Sequence, residues 1–144
     1  MTPKRGFFIS IEGIEGAGKS TLAEALALYF GGMGFEVVIT REPGGTRIGD
    51  AIRQLLLSDG REMSPRTELL LFEAARAQHV DELIRPALAR GEVVVCDRFA
   101  DSSLAYQGNA RGFSQRGVQT LNDFATKAIR PDVTILLDLP AEVG

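Results

Sequence analysis

The chain has 144 residues, 44% apolar and 24% charged, with a formal net charge of −3, which suits one soluble globular domain with a hydrophobic core. The mild acidity argues against a general binder of nucleic acid or of anionic membrane. Cys96 is the only cysteine, which excludes an internal disulfide and a cysteine-rich zinc site, and no segment approaches the ~18 apolar residues of a membrane span, so a reducing cytoplasm is the expected setting.

In chain order, the first predicted element is a strand, "FFISI" (Phe7–Ile11). Its apolar run is too short for a signal peptide and leads straight into a glycine-rich loop, "GIEGAGKS" (Gly13–Ser20). Ser20–Phe30 is apolar almost all round, which predicts a well-buried helix, stopped by "GGMG" at 31–34. A second strand follows in "EVVIT" (Glu36–Thr40). Ile48, Ile52, Leu55 and Leu56 recur at i, i+4, i+7 and i+8 and mark one face of a second helix. A third helix is predicted from about Arg66 to His79, and Pro86 should kink or divide what comes next. "VVVCD" (Val93–Asp97) is a third strand and makes Cys96 a buried core thiol. Val118, Leu121, Ala125 and Ala128 stripe a last helix that Pro131 closes off, and "VTILLD" (Val133–Asp138) is a fourth strand. The strands are near-continuous, β-branched runs, as expected of parallel strands covered on both faces. Their alternation with helices predicts an α/β fold, a parallel sheet flanked by helices in three α/β/α layers. No repeat, linker or low-complexity stretch interrupts it.

The loop carries the strongest local signal. Gly13, Gly18, Lys19 and Ser20 meet the pattern G-x-x-x-x-G-K-[ST], with a strand before it and a helix after it. Glycines let backbone N–H groups turn inward around phosphate oxygens, and the helix start adds about half a positive charge. Lys19 brings a full charge to the outer phosphates, and the Ser20 hydroxyl is a ligand for Mg²⁺. Gly13, Ile14, Glu15, Gly16, Ala17, Gly18, Lys19, Ser20 and Thr21 therefore form the expected nucleotide-binding run. This loop specifies a nucleoside triphosphate without separating motors, switches and kinases.

A metal-holding carboxylate should end a neighbouring strand. Asp97 and Asp138 both qualify, and Asp97 is preferred because Arg98 follows it at once. A carboxylate for Mg²⁺ next to a guanidinium for phosphate is suited to phosphoryl transfer. Asp138 reads as a solvated strand end. Of the 16 basic residues 13 are arginines, the side chain that forms two-pronged bonds to phosphate. Most of them, including Arg47, Arg61, Arg66, Arg85, Arg90 and Arg116, read as surface charge. His79 has no surrounding ligand cluster in the sequence and reads as structural.

"TREPGGT" (Thr40–Thr46), "TELLLFEAARAQH" (Thr67–His79) and "DRFADSSLAYQG" (Asp97–Gly108) together resemble thymidylate kinase. The resemblance runs from the first strand to the last residue. It implies a P-loop nucleoside-monophosphate-kinase fold, phosphoryl transfer from ATP to dTMP with Mg²⁺, and a cytoplasmic homodimer serving dTTP synthesis. Neither nucleic acid nor membrane is an expected partner. Lys19, Arg98 and Asp97 become the catalytic candidates, with Ser20 and Asp97 toward the metal.

The remaining site residues follow from the same resemblance. Phe72 and Arg76 lie four apart on one helix face. By pattern alone a core Phe beside a solvated Arg is the better reading. The resemblance instead has the ring stack on thymine while the guanidinium donates to a base carbonyl. Ser103, Tyr106 and Gln107 correspond to positions lining the base and sugar pocket, although an ordinary polar turn explains Gln107 equally well. Glu15, an acid inside a phosphate loop, is implied to bond the sugar 3′-hydroxyl of the monophosphate. Arg53 is implied to grip the acceptor phosphate with Arg98, and Arg41 to lie near the same pocket.

Family members continue beyond the fourth strand with a lid, further helices and a fifth strand. Residues 1–144 are thus expected to form a single P-loop kinase domain, incomplete at its C-terminal side, with an uncovered sheet edge. Members with a Gly where Gly16 stands resemble the group whose catalytic arginine comes from that lid. Three other readings compete: a kinase for a different nucleoside or nucleotide, a nucleotide-binding fragment without turnover, and a P-loop ATPase switch.

Overall fold

The protein is described by a computed structural model covering residues 5–58, 63–100 and 112–138. In chain order these form β1 (Phe7–Gly13), α1 (Lys19–Gly32), β2 (Val37–Arg41), α2 (Arg47–Leu57), α3 (Pro65–His79), a π-helical turn (Val80–Ile84), α4 (Arg85–Ala89), β3 (Val93–Asp97), α5 (Gln115–Thr126) and β4 (Val133–Leu137). They fall into two compact units. Of the described residues, the first holds 5–41, 84–99 and 131–138, and the second 42–58, 63–83, 100 and 112–130.

The first unit is the sheet. Its four strands run parallel in the order β2-β3-β1-β4. The register sets Ile11 against Asp97 and Gly13 against Leu137, with Arg41 against Asp97 on the far side. On one sheet face Ile9, Ile11, Val93 and Val95 are buried with Ala23 of α1, and Leu22, Leu26, Phe30 and Ile135 pack around them. On the other face Phe8 and Phe99 meet edge to face with centroids 5.0 Å apart. Fully burying such a side chain stabilises by about 1.5–3 kcal/mol. Both faces of β1 and β3 are therefore covered, as their unbroken apolar runs require.

β4 differs from the expectation of two covered faces. Ile135 and Leu137 point into the α1 side, but Leu136 is 68% exposed and Val133 43% exposed. It is the end strand of the sheet, held to β1 by the ladder and by a hydroxyl pair, Ser10 Oγ to Thr134 Oγ1 at 3.0 Å. Asp132 fixes its start: the Phe8 N–H donates to the carboxylate at 2.8 Å, and the Asp132 N–H donates back to the Phe8 carbonyl.

Helix α1 also corrects a reading. Its sequence is apolar nearly all round, yet Leu28 is 80% exposed and Tyr29 62% exposed, and only Lys19 and Ala23 are fully buried. A helix lying on one sheet face can bury only one side, whatever its composition. It also runs through Gly31 and Gly32 before Gly34, in the left-handed region at φ 92°, ends it. Pro86, which has no N–H to give, directly follows the π-helical turn, in accord with the predicted disruption.

The second unit is helical among the described residues. α3 packs against both α2 and α5. Each of the three begins with a side-chain cap: Thr46 Oγ1 accepts from Gly49 N, Ser64 Oγ from Thr67 N, and Ser114 Oγ from Gly117 N. α5 stops at Thr126, because Lys127 and Ala128 turn left-handed at φ 51° and 62°. Ala128 thus lies beyond the helix whose apolar stripe it was expected to extend.

Gly6 is the tightest backbone approach in the first unit. Its N–H donates to the Leu88 carbonyl at 3.0 Å, and a Cβ there would sit 2.5 Å from the Glu92 carbonyl oxygen and 2.7 Å from Leu88 Cα. Gly6→Ala should lower stability by about 2 kcal/mol or more. Gly31→Ala, in open helical space, should raise it by up to about 1 kcal/mol. Urea unfolding midpoints of the two variants check both signs.

Candidate functional site

The first unit builds an anion site where β1 ends. The chain leaves Gly13 through a loop in which Gly16 and Gly18 take φ 82° and 97°. Side chains rarely adopt these values, and glycine adopts them freely. Gly18 then caps α1, placing the helix N-terminus on the loop. Lys19 is only 5% exposed. Its ammonium donates to the carbonyls of Gly13 and Ile14, both at 2.9 Å, and so lies inside the loop it helps to form. Ser20 and Thr21 are exposed in the first turn of α1.

The end of β3 lies beside that loop through the β1–β3 ladder. Asp97 Oδ1 is buried and has no hydrogen-bond partner among the described residues. An orphaned carboxylate oxygen costs at least about 1–3 kcal/mol, so its position asks for a cation or a donor. Hard oxygen donors such as this carboxylate and the Ser20 hydroxyl are the kind Mg²⁺ takes, alongside water and phosphate.

Arg98 follows with φ 70°, an uncommon value for a residue with a side chain and one that costs about 1–3 kcal/mol. Three bonds hold it there. Its N–H donates to the Ile11 carbonyl at 2.9 Å, its carbonyl accepts from Cys96 Sγ at 3.0 Å, and its guanidinium donates to Glu15 Oε1 at 2.7 Å. Glu15 is the acid within the phosphate loop, and its side chain is 87% exposed. The loop acid and the strand-end arginine are therefore ion-paired. Cys96 is buried, as its apolar neighbours predict. Arg41 is exposed at the end of β2, in register with Asp97. Asp138 is exposed just past β4.

The second unit holds the other candidates. The segment Glu42–Thr46 opens with a cis Glu42–Pro43 bond and is tied to α2 by Gly45 N donating to Asp50 Oδ1 at 3.2 Å. Arg53 is half-buried on α2, and its Nη1 donates to the Pro43 carbonyl at 3.0 Å. Phe72 is half-buried on α3. Arg76, one turn further on, is 2% exposed, so the pattern of a core ring beside a solvated arginine does not describe this helix.

Arg76 sits in a network that the sequence did not announce. Its Nε donates to Glu42 Oε1 at 2.7 Å, and its Nη1 donates to Glu73 Oε1 at 3.0 Å and to Asn122 Oδ1 of α5 at 2.8 Å. His79 is fully buried, with Nδ1 2.7 Å from Glu42 Oε2. Burial alone would push the Glu42 carboxyl up, but Arg76 and His79 hold it below the usual carboxylate range. It is therefore an acceptor, and His79 Nδ1 carries the donated proton. Glu73 behaves in the opposite way: burial pushes it up to about 7, with Arg76 opposing and Glu42 adding to the rise. Its second oxygen, Oε2, is buried without a partner.

The first unit thus brings together Lys19, Ser20, Glu15, Asp97 and Arg98, with Arg41 at the same end of the sheet, and the second carries Arg53, Phe72 and Arg76. Ser103, Tyr106, Gln107 and Arg61 lie outside the described residues. Glu42, Glu73 and Asn122 were missed as functional candidates. The one signal available was Glu73, an acid one turn before Arg76 in the helix motif. Glu42 and Asn122 reach Arg76 from 34 residues before it and 46 after it, which only the fold could reveal. Among the described residues no group of three or more His, Cys, Asp or Glu is placed to hold a metal by itself.

A family model described as thymidylate kinase matches residues 11–144. The thymidylate kinase of Pseudomonas fluorescens (strain SBW25) is 58% identical over 140 residues, covering 96% of this chain and 67% of that protein. That of Pelobacter propionicus is 53% identical over 140 residues, covering 96% and 64%. The chain therefore spans about two thirds of the length of these relatives. Among solved structures, thymidylate kinase from Ehrlichia chaffeensis matches with a TM-score of 0.82 and 38% identity, covering 93% of this chain and 75% of that one.

Glu73 gives stability a defined pH slope. Between the ordinary carboxylate value of 4.5 and about 7, the folded chain holds a proton that the unfolded chain has released. Stability from this group is complete below pH 4.5 and is lost as pH rises through about 7. Glu73→Gln cannot ionise. Its melting temperature should fall less than that of the unchanged chain between pH 5 and about 8, as calorimetry across that range would show.

Proposed function

The chain belongs to the thymidylate kinase family, and from that premise we propose that it transfers the γ-phosphoryl group of ATP to dTMP, giving dTDP and ADP for dTTP synthesis. The observation that carries the reading is the pairing of a complete phosphate loop with Asp97 and Arg98 at the end of the adjacent strand. A strand–loop–helix with Lys19 inside it supports a triphosphate donor. A strained arginine whose guanidinium is held at that same end supports charge neutralisation on a transferring phosphoryl group.

Each residue then has a task. Lys19 exchanges its two carbonyl partners for the outer phosphates of ATP. Arg98 exchanges Glu15 for the oxygens around the phosphorus, and Glu15 becomes available to the sugar 3′-hydroxyl of the acceptor. Arg53 grips the acceptor phosphate, and Phe72 and Arg76 take the thymine. Ser20 and Asp97 would hold Mg²⁺, which fits the orphaned Asp97 oxygen. Such an ion would supply charge neutralisation to the phosphates. No covalent enzyme intermediate is required, and positioning with charge neutralisation supplies the catalysis.

The reading includes a cytoplasmic homodimer. Its support is the set of exposed apolar side chains on the packed pair α2 and α3, namely Ile48, Leu55, Leu57 and Leu70, a surface suited to a second copy. No described helix is long and apolar enough to cross a membrane.

Formation of ADP in the presence of dTMP, dCMP, UMP or AMP tests the assignment. dTMP should be consumed fastest. Faster turnover of another monophosphate, or equal ATP loss without an acceptor, would sink it. Arg98→Ala should cut turnover by about 100-fold or more with the melting temperature little changed.

A further inference from the structure

We propose that Glu73 is a positioning residue for Arg76: it fixes the guanidinium that meets the pyrimidine and so sets which base the chain accepts. The inference deepens the function proposed above and rests on the base-reading role given there to Arg76.

A guanidinium carries five N–H groups in one plane. Three of them are directed by acceptors from three parts of the second unit. Nε donates to Glu42, and Nη1 donates both to Glu73 and to Asn122. A planar group held at three points has no rotational freedom left, so the direction of its Nη2 edge is set by those acceptors. Glu73 is the acceptor nearest in the chain, three residues away on the same helix. Without it, the plane loses one of these three anchors and can tilt.

The choice of a carboxylate also needs a reason. Glu73 is 6% exposed and brings an oxygen, Oε2, that is buried without a partner. A side chain present only to fill space would carry no such cost. Its return is control of charge. With Glu73 protonated, Glu42 is the ionised carboxylate that faces Arg76 among the described residues. With Glu73 ionised, two carboxylates face one guanidinium, and the added negative charge weakens its pull on a base carbonyl. Burial places this change near neutral pH. Among the described residues, the charged groups that act on Glu73 are Arg76 on its own helix and Glu42 from the segment after β2, and Glu42 in turn faces His79. Asn122 of α5 is neutral, and α2 contributes no charge to Glu73 among the described residues.

Base selection follows from the fixed edge. Thymine presents a carbonyl oxygen where cytosine presents an amino group. A guanidinium held in place accepts the first and meets donor with donor at the second. One free to tilt turns away from the clash.

The test is calorimetric binding of dTMP, dCMP and ATP to the 144-residue chain and to two variants. Glu73→Ala should weaken dTMP about tenfold, the value of one charge-assisted bond. It should narrow the dTMP-over-dCMP preference by a similar factor and leave ATP unchanged. Glu73→Gln keeps an acceptor for Nη1 and cannot ionise. At pH 6 it should bind dTMP as the unchanged chain does. Between pH 6 and 8.5 the unchanged chain should lose affinity for dTMP relative to Glu73→Gln, while the acceptor phosphate titrates identically for both. Should Glu73→Ala fail to fold, the Glu73→Gln pH comparison decides. The inference is overturned by identical pH profiles, by unchanged dTMP affinity and preference in a folded Glu73→Ala, or by equal weakening of ATP. Absence of dTMP binding by the unchanged chain overturns the proposed function and this inference with it. Binding of dTMP that ignores position 73 overturns the inference alone.

Discussion

The parallel ladder between β1 and β3 is the constraint on which the donor end depends. Its register sets Ile11 against Asp97, so the strand that leads into the phosphate loop runs two residues past the level at which Asp97 closes its neighbour. The register is well specified, because a slip of one residue would turn one strand over relative to the other. Were β1 the strand to shift, Phe8 would move to the α1 face and Ile9 away from it. The core that secures the sheet thus also secures the chemistry. The Arg98 N–H bond to Ile11 extends the ladder one step beyond Asp97 and helps to stabilise the left-handed turn there.

In the second unit the organising fact is a buried cation with more than one anion. Removing one partner of a buried ion pair costs about 3–5 kcal/mol, because the remaining charge stays in a poor solvent. Glu42 satisfies Arg76 with one oxygen and His79 with the other. Full ionisation of Glu73 as well would crowd two carboxylates around one guanidinium. The opposite displacements of the two acids, Glu42 held low and Glu73 raised to about 7, are the electrostatic consequence.

Much of this was legible in the sequence, and the failures have a common cause. The four strands were found by their β-branched runs, and the loop by its glycines, lysine and serine. Thr46, Ser64 and Ser114, whose side chains cap three helix starts, are a local signal in the sequence that was passed over. Local chemistry fixes all of these. Burial was misjudged where the neighbours decide it. Leu28 and Tyr29 are as apolar as core residues yet exposed, because α1 has one sheet face to cover. Arg76 failed in the opposite direction, being charged and buried, since its partners Glu42 and Asn122 are distant in sequence. The ion pair between Glu15 and Arg98 spans 83 residues and was equally invisible.

The cations of the two units are held in ways that suit different work. Lys19 donates to two neutral carbonyls, and Arg98 to a carboxylate that is 87% exposed. An exposed pair of that kind is worth about 0–1 kcal/mol, and charge-assisted bonds to phosphate are about twice as strong as bonds to neutral acceptors. Both cations can therefore change partners for an incoming anion at little cost, and the strain at Arg98 is borne by its backbone bonds, which survive the exchange. Arg76 is the reverse case. Its ionised partner Glu42 is buried, and giving it up would separate two opposite charges inside the protein. In the proposed function, exchangeable contacts would suit groups that follow a moving phosphoryl group, and a fixed one would suit a group that compares bases. What separates the cations is the acceptor: neutral carbonyls for Lys19, an exposed carboxylate for Arg98 and a buried one for Arg76.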